Sequence, residues 1–242
     1  MKSNKPIAEF EYTFSSDNTE VVYKYGKKDP ITLTYEKVII DGIECLSYDF
    51  NQKEGYTTLK GAETLQLSSK INTATDKLSR VKYINSNAIL EDTPENRAFV
   101  SFVAFVDNML LFYSLDSKGY QGLLSGPDSY TQGIVRENKV KEFESFLRDR
   151  GIDYELVSID NNGIKDLYCK FPKFAVPFAS IASTGTNALA LFYYWYIKLS
   201  TASFVFIDEF DAFYHFELSQ SLVELLRTLD NTQVFLTSHD TD

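Results

Sequence analysis

Two neighbouring carboxylates, Asp208 and Glu209, are the residues whose types and placement best suit chemistry. They follow the run 204–207, Phe-Val-Phe-Ile, which is too short for a helix and lacks polar alternation, so it predicts a strand buried on both faces of a parallel sheet. The carboxyl edge of such a sheet is where α/β proteins bind metals and phosphates. Asp208 could help to hold Mg²⁺, and Glu209 could orient or deprotonate an attacking water. A solvated acidic turn is the alternative interpretation.

A small, hydroxyl-rich segment at 180–187 opens a predicted helix whose apolar stripe begins at Ala188. It would place hydroxyls and the N–H groups of a glycine-containing backbone at the positive end of the helix dipole, which suits a phosphate. The residues concerned are Ser183, Thr184, Gly185 and Thr186. An ordinary Ser/Thr cap of a core helix is the alternative.

A histidine follows a second short apolar run. The run 234–236, Val-Phe-Leu, predicts another buried strand, and a helical stripe of leucines between 218 and 229 separates it from the acid strand. His239 would therefore lie at the carboxyl end of a neighbouring strand, where it could contact a terminal phosphate or its attacking water. The chain has two histidines in all, and a structural role for this one is the alternative.

The elements that carry these residues alternate along the chain. From 179 to 242 the sequence predicts helix, strand, helix and strand, which is typical of a parallel sheet. The start of the chain differs, because residues 7–59 alternate polar and apolar side chains and include Asp41-Gly42, a strong signal for a two-residue hairpin. We therefore expect an α/β protein in which an antiparallel β-meander precedes a parallel sheet with helices.

The middle of the chain, 62–150, is predicted to be mainly helical with loops. The run 93–95, Thr-Pro-Glu, supplies a cap, a proline at the first helical position and a first-turn acid, and apolar residues then keep helical spacing as far as Leu110. A second helix is predicted to end at Arg150, and Gly151 is predicted to cap it in the left-handed conformation. Residues 114–133 are rich in Gly, Ser and Asp and are predicted to be a loop.

These patterns divide the chain into three parts. Residues 1–60 are predicted to form the β-meander, and residues 61–151 a mainly helical insertion. Residues 152–242 open with a hairpin around 161–163, Asn-Asn-Gly, and then carry the hydroxyl-rich segment, the acids and the histidine.

Composition and charge narrow the class of protein. The 242 residues include 44% hydrophobic and 15% aromatic residues, enough for a sizeable core. The net charge of −10, with a pI near 4.8, argues against a strongly basic nucleic-acid surface. The two cysteines lack metal-ligand spacing and indicate a reducing compartment, and the sequence has neither a signal peptide nor an apolar run that could span a membrane. We therefore expect a cytoplasmic protein without a membrane partner.

The order of these motifs resembles that of ABC-type ATPase heads. The run 183–186, Ser-Thr-Gly-Thr, is similar to their signature motif, 204–209 to their Walker B motif, and 238–239, Ser-His, to their switch-histidine element. The chain looks most like bacterial AAA-family, SMC-like ATPases of abortive-infection and other phage-defence systems, whose Walker B motif is often followed by a histidine, here His215. The resemblance of the motifs covers 178–242, and the earlier part is more loosely similar.

The resemblance implies an ATP-binding and ATP-hydrolysing domain of the P-loop NTPase type that uses ATP and Mg²⁺. By this resemblance Asp208 would complete the Mg²⁺ shell, Glu209 would be the general base, and His239 would sense the γ-phosphate. The signature residues would reach the nucleotide of a partner subunit in a head-to-tail homodimer. An effector nuclease or DNA would be a further partner, and ATP-driven dimerisation would be coupled to it.

One motif of these ATPases is missing. A P-loop needs the run Gly-x-x-x-x-Gly-Lys-Ser/Thr to wrap the phosphates, and the 242 residues contain no such run. The nearest candidate, Gly26-Lys27-Lys28, lacks the hydroxyl residue and the upstream glycine. The resemblance therefore implies the C-terminal half of a head without its Walker A loop, a fragment that should be a poor ATPase alone.

Two other classes of function remain open. A metal-dependent nuclease would use the hard ligands that are abundant between 208 and 242, although the sequence shows no spaced motif that brings in an acid from elsewhere. A non-catalytic interaction module would keep the ATPase fold without its P-loop, and the missing Gly-Lys-Ser/Thr run favours it. A nucleotide-binding titration discriminates between this module and an ATPase.

Overall fold

The structure is a computed structural model that describes residues 6–16, 18–65, 67, 78–115, 119–122, 129–212 and 214–238. The chain forms two compact units, Met1–Asp107 and Asn108–Asp242. The three-part division predicted from sequence, at 1–60, 61–151 and 152–242, remains a prediction. Within the described residues, no helix has the length and apolar character needed to cross a membrane.

The first unit is built on a five-stranded antiparallel sheet, which confirms the predicted meander. Its strands are hydrogen-bonded in sequence order, β1 to β5. They are β1 (Ala8–Ser16), β2 (Thr19–Lys27), β3 (Leu33–Ile40), β4 (Ile43–Asp49) and β5 (Glu54–Thr57). The turn between β3 and β4 is the predicted two-residue hairpin, because Asp41 and Gly42 both have positive φ, at 48° and 80°.

Two helices, α1 (Arg80–Asn87) and α2 (Pro94–Asp107), cover one face of this sheet. Phe99 of α2 and Val38 of β3 are fully buried in the shared core. The buried carboxylate of Glu36 joins sheet and helix, because it accepts hydrogen bonds from the Ser79 hydroxyl (2.7 Å) and from the Arg80 backbone N–H (2.6 Å). The predicted start of α2 at Pro94 is confirmed.

The second unit contains a four-stranded mixed sheet in the order β12-β11-β6-β7. Strand β11 (Phe204–Ile207) lies parallel to β12 (Gln233–Leu236) and to β6 (Met109–Leu115), and β7 (Gly119–Gly122) is antiparallel to β6. The predicted parallel pairing of 204–207 with 234–236 is confirmed, and α7 (Phe216–Leu226) connects the two strands. The carboxyl ends of three parallel strands therefore meet at one edge of this sheet.

Strand β6 was wrongly predicted, because Leu110 was assigned to the helix that ends at Asp107 and Ser114 to a loop. Leu110 continues the helical spacing of the residues before it, so the local pattern favours a helix. These residues instead pair with β11, where Met109 lies opposite Phe204. This non-local pairing overrides the local preference for a helix.

The prediction that β11 is buried on both faces was also wrong in part. Val205 and Ile207 are buried, whereas Phe204 and Phe206 are only partly covered. Phe235, which pairs with Phe206 on the neighbouring strand, is 49% exposed. A short apolar run does not distinguish a strand covered on both faces from a strand with one half-covered face.

The rest of the second unit frames this sheet. The remaining elements are α3 (Tyr130–Arg136), α4 (Val140–Arg148), β8 (Leu156–Asn161), β9 (Ile164–Lys170), β10 (Ala175–Pro177), α5 (Phe178–Ile181), α6 (Thr184–Tyr196) and a 3-10 turn (Leu199–Thr201). Strands β8 to β10 form a separate antiparallel sheet. The predicted hairpin at Asn162-Gly163 and the left-handed Gly151 (φ 77°) after α4 are both confirmed. Helix α6 supplies much of the core, with Leu189 and Ala190 fully buried.

Candidate functional site

The acids lie where the strands of the parallel sheet end. Asp208 is the first residue after β11, and its backbone N–H donates to the carbonyl oxygen of Phe112 on β6 (2.9 Å). On the other side, the backbone N–H of Thr237 donates to the carbonyl oxygen of Ile207 (3.0 Å). The ladder thus continues one residue beyond β11 on both sides, which holds the backbone of Asp208 and Thr237 in register.

The hydroxyl of Thr237 contacts both acids of the pair. It donates to Asp208 Oδ1 over 2.7 Å and accepts from the backbone N–H of Glu209 over 2.7 Å. The carbonyl oxygen of Thr237 accepts from the Phe210 N–H over 2.9 Å. The turn that carries the acids is therefore bound to the end of β12 at three successive residues.

Glu209 has a left-handed backbone, with φ at 49°. Residues other than glycine seldom adopt this conformation, and the surrounding structure must hold them in it. Here the hydrogen bonds of Glu209 and Phe210 to Thr237 do so. Backbone strain of this kind is concentrated at functional sites, which favours a functional turn over a solvated acidic loop.

A second hydroxyl on the same segment contacts a third acid. Ser238 Oγ donates to Asp211 Oδ2 over 2.9 Å. The other candidate histidine, His215, is exposed and serves as the N-cap residue of α7, where its carbonyl oxygen accepts from the N–H groups of Leu218 and Ser219. His239 lies outside the described residues, so its predicted place at the end of β12 remains a prediction.

The hydroxyl-rich segment forms the N-terminus of α6. Ser183 is the N-cap residue, and its Oγ accepts from the Thr186 N–H (3.1 Å) and shares a hydrogen bond with Thr186 Oγ1 (2.8 Å). Thr186 is buried, Gly185 is half-buried, and Thr184 is exposed. The contacts of Ser183 and Thr186 are thus those of a Ser/Thr cap, the alternative that the sequence left open.

Three residues that stabilise these segments carry no local signal in the sequence: Thr237, Asn187 and Tyr130. Thr237 directly follows the apolar run 234–236. The Tyr130 hydroxyl donates to Asn187 Oδ1 over 2.7 Å, and Asn187 Nδ2 donates to the carbonyl oxygen of Ala182 over 3.0 Å. The place of Thr237 follows from the register of the parallel pair, in which Ile207 lies opposite Leu236, and the sequence alone does not give that register.

The acids of this site offer few ligands for an ion such as Mg²⁺. Among the described residues, no group of three or more His, Cys, Asp or Glu side chains is arranged to hold a metal ion. Mg²⁺ at phosphate-transfer sites keeps several waters and takes one or two carboxylates together with oxygens of the substrate phosphates. Asp208 at the strand edge, with one carboxylate oxygen fixed by Thr237, fits that limited role.

A protein-family model described as "AAA domain, putative AbiEii toxin, Type IV TA system" matches residues 1–242, which is the whole chain. The chain therefore belongs to this family of AAA domains and is an AAA-family ATPase domain of abortive-infection type. Its mixed α/β fold, with parallel strands and helices, is consistent with that family. A comparison with curated proteins finds no match to the chain.

Proposed function

We propose that the chain binds and hydrolyses ATP as one half of an ATPase head, with the acid pair as its catalytic centre. The observation that carries this proposal is the bridge from Thr237 to Asp208 and Glu209 at the carboxyl edge of three parallel strands. Membership of an AAA family supports it independently, since such domains generally use ATP and Mg²⁺.

Each residue of the centre has a separate task. Mg²⁺, when bound with ATP, supplies positive charge against the phosphate oxygens. Asp208 holds that ion through its carboxylate, and Glu209 accepts a proton from the attacking water, which makes the water a better nucleophile. His239 senses the γ-phosphate by contacting it.

The hydroxyl-rich segment acts on a second nucleotide. Ser183, Thr184, Gly185 and Thr186 contact the ATP of a partner subunit in a head-to-tail homodimer. The N-terminus of α6 supports this role because its backbone N–H groups and helix dipole favour an anion. The Ser183 cap stabilises the first turn of this helix, in which Thr184 is exposed and Gly185 is half-buried.

The chain depends on a phosphate-binding loop that its own 242 residues do not contain. Without Gly-x-x-x-x-Gly-Lys-Ser/Thr, ATP affinity and turnover of the chain alone are low. ATP-driven dimerisation, in a cytoplasmic phage-defence system, is coupled to an effector nuclease or to DNA. The net charge of −10 favours an effector protein over DNA as the direct contact of this chain.

A titration with Mg·ATP tests the proposal. The chain alone should bind weakly, and a form supplemented with a Gly-x-x-x-x-Gly-Lys-Ser/Thr loop ahead of the meander should bind ATP in an Mg²⁺-dependent manner. Asp208→Asn in that form should weaken the Mg²⁺-dependent part of the binding. A supplemented form that folds but gains no ATP affinity would contradict the proposal.

A non-catalytic interaction module is the second candidate. The missing loop and the local use of the Ser183 and Thr186 hydroxyls favour it. Such a module would keep the fold and bind its partner equally well with and without ATP. A metal-dependent nuclease has less support, because the acids described do not gather into a metal-binding group.

A further inference from the structure

We propose that the hydroxyl of Thr237 is a positioning group for both acids of the site. It fixes the orientation of the Asp208 carboxylate and holds Glu209 in its left-handed backbone conformation. This inference rests on the proposed role of the two acids in ATP hydrolysis. The role proposed for Thr237 is indirect, because its hydroxyl contacts Asp208 and Glu209 and acts through them.

The chemistry of the three groups fixes the direction of both hydrogen bonds. A backbone N–H can only donate, so Thr237 Oγ1 accepts from Glu209. The single hydroxyl proton is then directed at Asp208 Oδ1, since a carboxylate oxygen is an acceptor. Both distances are 2.7 Å, so one hydroxyl makes a hydrogen bond to each of the two acidic residues at the same time.

The backbone around Thr237 leaves this hydroxyl little freedom. Its N–H donates to Ile207 and its carbonyl oxygen accepts from Phe210, so the residue is bound on both sides to the strand and turn that carry the acids. A β-branched side chain also has few accessible χ1 rotamers. The donor is therefore preorganised, which is what a group that orients a metal-binding carboxylate requires.

This arrangement assigns different tasks to the two oxygens of Asp208. Oδ1 accepts the hydrogen bond of the Thr237 hydroxyl, so Oδ2 would be the oxygen left to bind a cation. If the hydroxyl is removed, the carboxylate can rotate and Glu209 loses the acceptor of its N–H. The consequence is a weaker cation site and a looser turn, while the ladder between β11 and β12 is kept.

Two substitutions separate the hydroxyl from the shape of the side chain. Thr237→Val keeps the branched shape without the hydroxyl, and Thr237→Ser keeps the hydroxyl. Thr228→Val is a matched control, because the Thr228 hydroxyl donates to the Leu225 carbonyl oxygen (2.7 Å) at the end of α7. All three variants are made in the full chain.

Amide hydrogen exchange measured by NMR is the first readout. In Thr237→Val the Glu209 amide should exchange about fivefold faster or more, because it has lost one hydrogen bond. The exchange rate of the Phe210 amide should stay within about twofold of its rate in the parent protein, since its acceptor is a backbone oxygen that the substitution keeps. Thr237→Ser and Thr228→Val should leave both amides unchanged. Equal acceleration at Glu209 and Phe210, or no change at Glu209, would overturn the proposal.

Paramagnetic broadening by Mn²⁺ is the second readout, and it detects weak cation binding without ATP. Mn²⁺ should broaden the amide signals of Asp208 and Glu209 in the parent protein. Thr237→Val should need several-fold more Mn²⁺ for the same broadening, whereas Thr237→Ser should need the same concentration as the parent. If the parent shows no broadening and Asp208→Asn changes nothing, the proposed metal role of Asp208 fails. The exchange result still decides whether Thr237 holds the turn, so the two failures are distinguishable.

Discussion

Tyr130, the first residue of α3, donates a hydrogen bond to Asn187 Oδ1 over 2.7 Å and so joins two helices whose contacting residues are 57 positions apart in the chain. A phenol carries its proton at neutral pH and so acts as the donor here, and burial raises the pKa of Tyr130 further above its ordinary value of 10.0. Asn187 in turn binds the carbonyl oxygens of Ala182 and Ala179 just before α6. The hydroxyl-rich segment is thus held by α3 as well as by its own Ser183 cap.

Removal of the Tyr130 hydroxyl should loosen this connection. We expect Tyr130→Phe to lower the free energy of unfolding by about 1 kcal/mol, because Asn187 Oδ1 loses its donor in a half-buried place. Tyr154→Phe is the control, since the ring of Tyr154 packs nearly perpendicular to that of Phe178 and this contact does not use the hydroxyl. Urea denaturation at pH 7 measures both variants. Equal effects of the two substitutions would show that the hydrogen bond contributes nothing specific.

The close approach of α3 to α6 depends on Gly133. A Cβ atom at this position would overlap the ring of Tyr194, which is buried on α6. Gly133→Ala should therefore destabilise the chain by about 1–3 kcal/mol, although alanine favours a helix more than glycine does. Denaturation of Gly133→Ala, of Gln132→Ala as the neighbouring control, and of Gly133→Ala combined with Tyr194→Leu measures the effect. The double variant should recover part of the loss, and no recovery would point to a cause other than the overlap.

The position of Asp208 and Glu209 at the end of a parallel strand could be predicted from the sequence because its signals are local. The apolar run before Asp208 and Glu209, the run 234–236 and the leucine stripe between them are each contained in a few residues. Parallel pairing then follows from the order of the elements. The same holds for the turns at Asp41-Gly42 and Asn162-Gly163, whose residue types suit positive φ.

The parts that the sequence did not predict depend on contacts between distant segments. Strand β6 exists because Met109 to Phe112 pair with β11, nearly a hundred residues later, and Leu110 alone fits a helix equally well. Thr237 acquires its role through register, because Ile207 lies opposite Leu236 and the residues after them become neighbours. Tyr130 and Asn187 meet only when α3 packs against α6. No local pattern carries such information.

Glu144 should make the stability of the second unit depend on pH. It accepts hydrogen bonds from the Leu156 N–H (2.7 Å), the Lys141 ammonium (2.8 Å) and the Arg148 guanidinium (3.2 Å), and so joins α4 to β8. Partial burial acts to raise the pKa of Glu144, but the hydrogen bonds from Lys141 and Leu156 outweigh it and hold the pKa below its ordinary value of 4.5. The contribution of the charged form is therefore complete above that value and is lost as the pH falls through the lower pKa of the folded state.

Glu144→Gln tests this dependence, because it keeps an oxygen that can accept from Leu156 and removes the charge. We expect a loss of about 1 kcal/mol in the free energy of unfolding at neutral pH, since hydrogen bonds to a charged group are lost, and a smaller difference from the parent as the pH falls below 4.5. Glu142→Gln, which removes an exposed partner of Lys139 on the same helix, is the control and should have little effect. If the free energy of unfolding of Glu144→Gln differs from that of the parent protein by the same amount at every pH, the electrostatic explanation is contradicted.

The two neighbouring acids should respond differently to the loss of their charge. These variants are compared in a form of the protein that carries a phosphate-binding loop and hydrolyses ATP. Glu209→Gln keeps the size of the side chain and the backbone N–H that binds Thr237, but it cannot accept a proton from water. We therefore expect turnover to fall by about 10²–10⁴-fold while ATP affinity stays within a few-fold. If ATP drives dimerisation, this variant should accumulate as a nucleotide-bound dimer.

Asp208→Asn removes charge at the residue that the proposed site uses to hold Mg²⁺, so both the Mg²⁺-dependent part of ATP binding and turnover should fall. Asparagine keeps an oxygen that can accept from the Thr237 hydroxyl, so the turn itself should survive, and the exchange rate of the Glu209 amide reports whether it does. ATP affinity and turnover, each measured with and without Mg²⁺, then separate the two tasks. Near-normal turnover in Glu209→Gln would exclude Glu209 as the base. Unchanged Mg²⁺ dependence in Asp208→Asn would show that Asp208 does not hold the ion, and the acid pair would then be a structural turn fixed by Thr237.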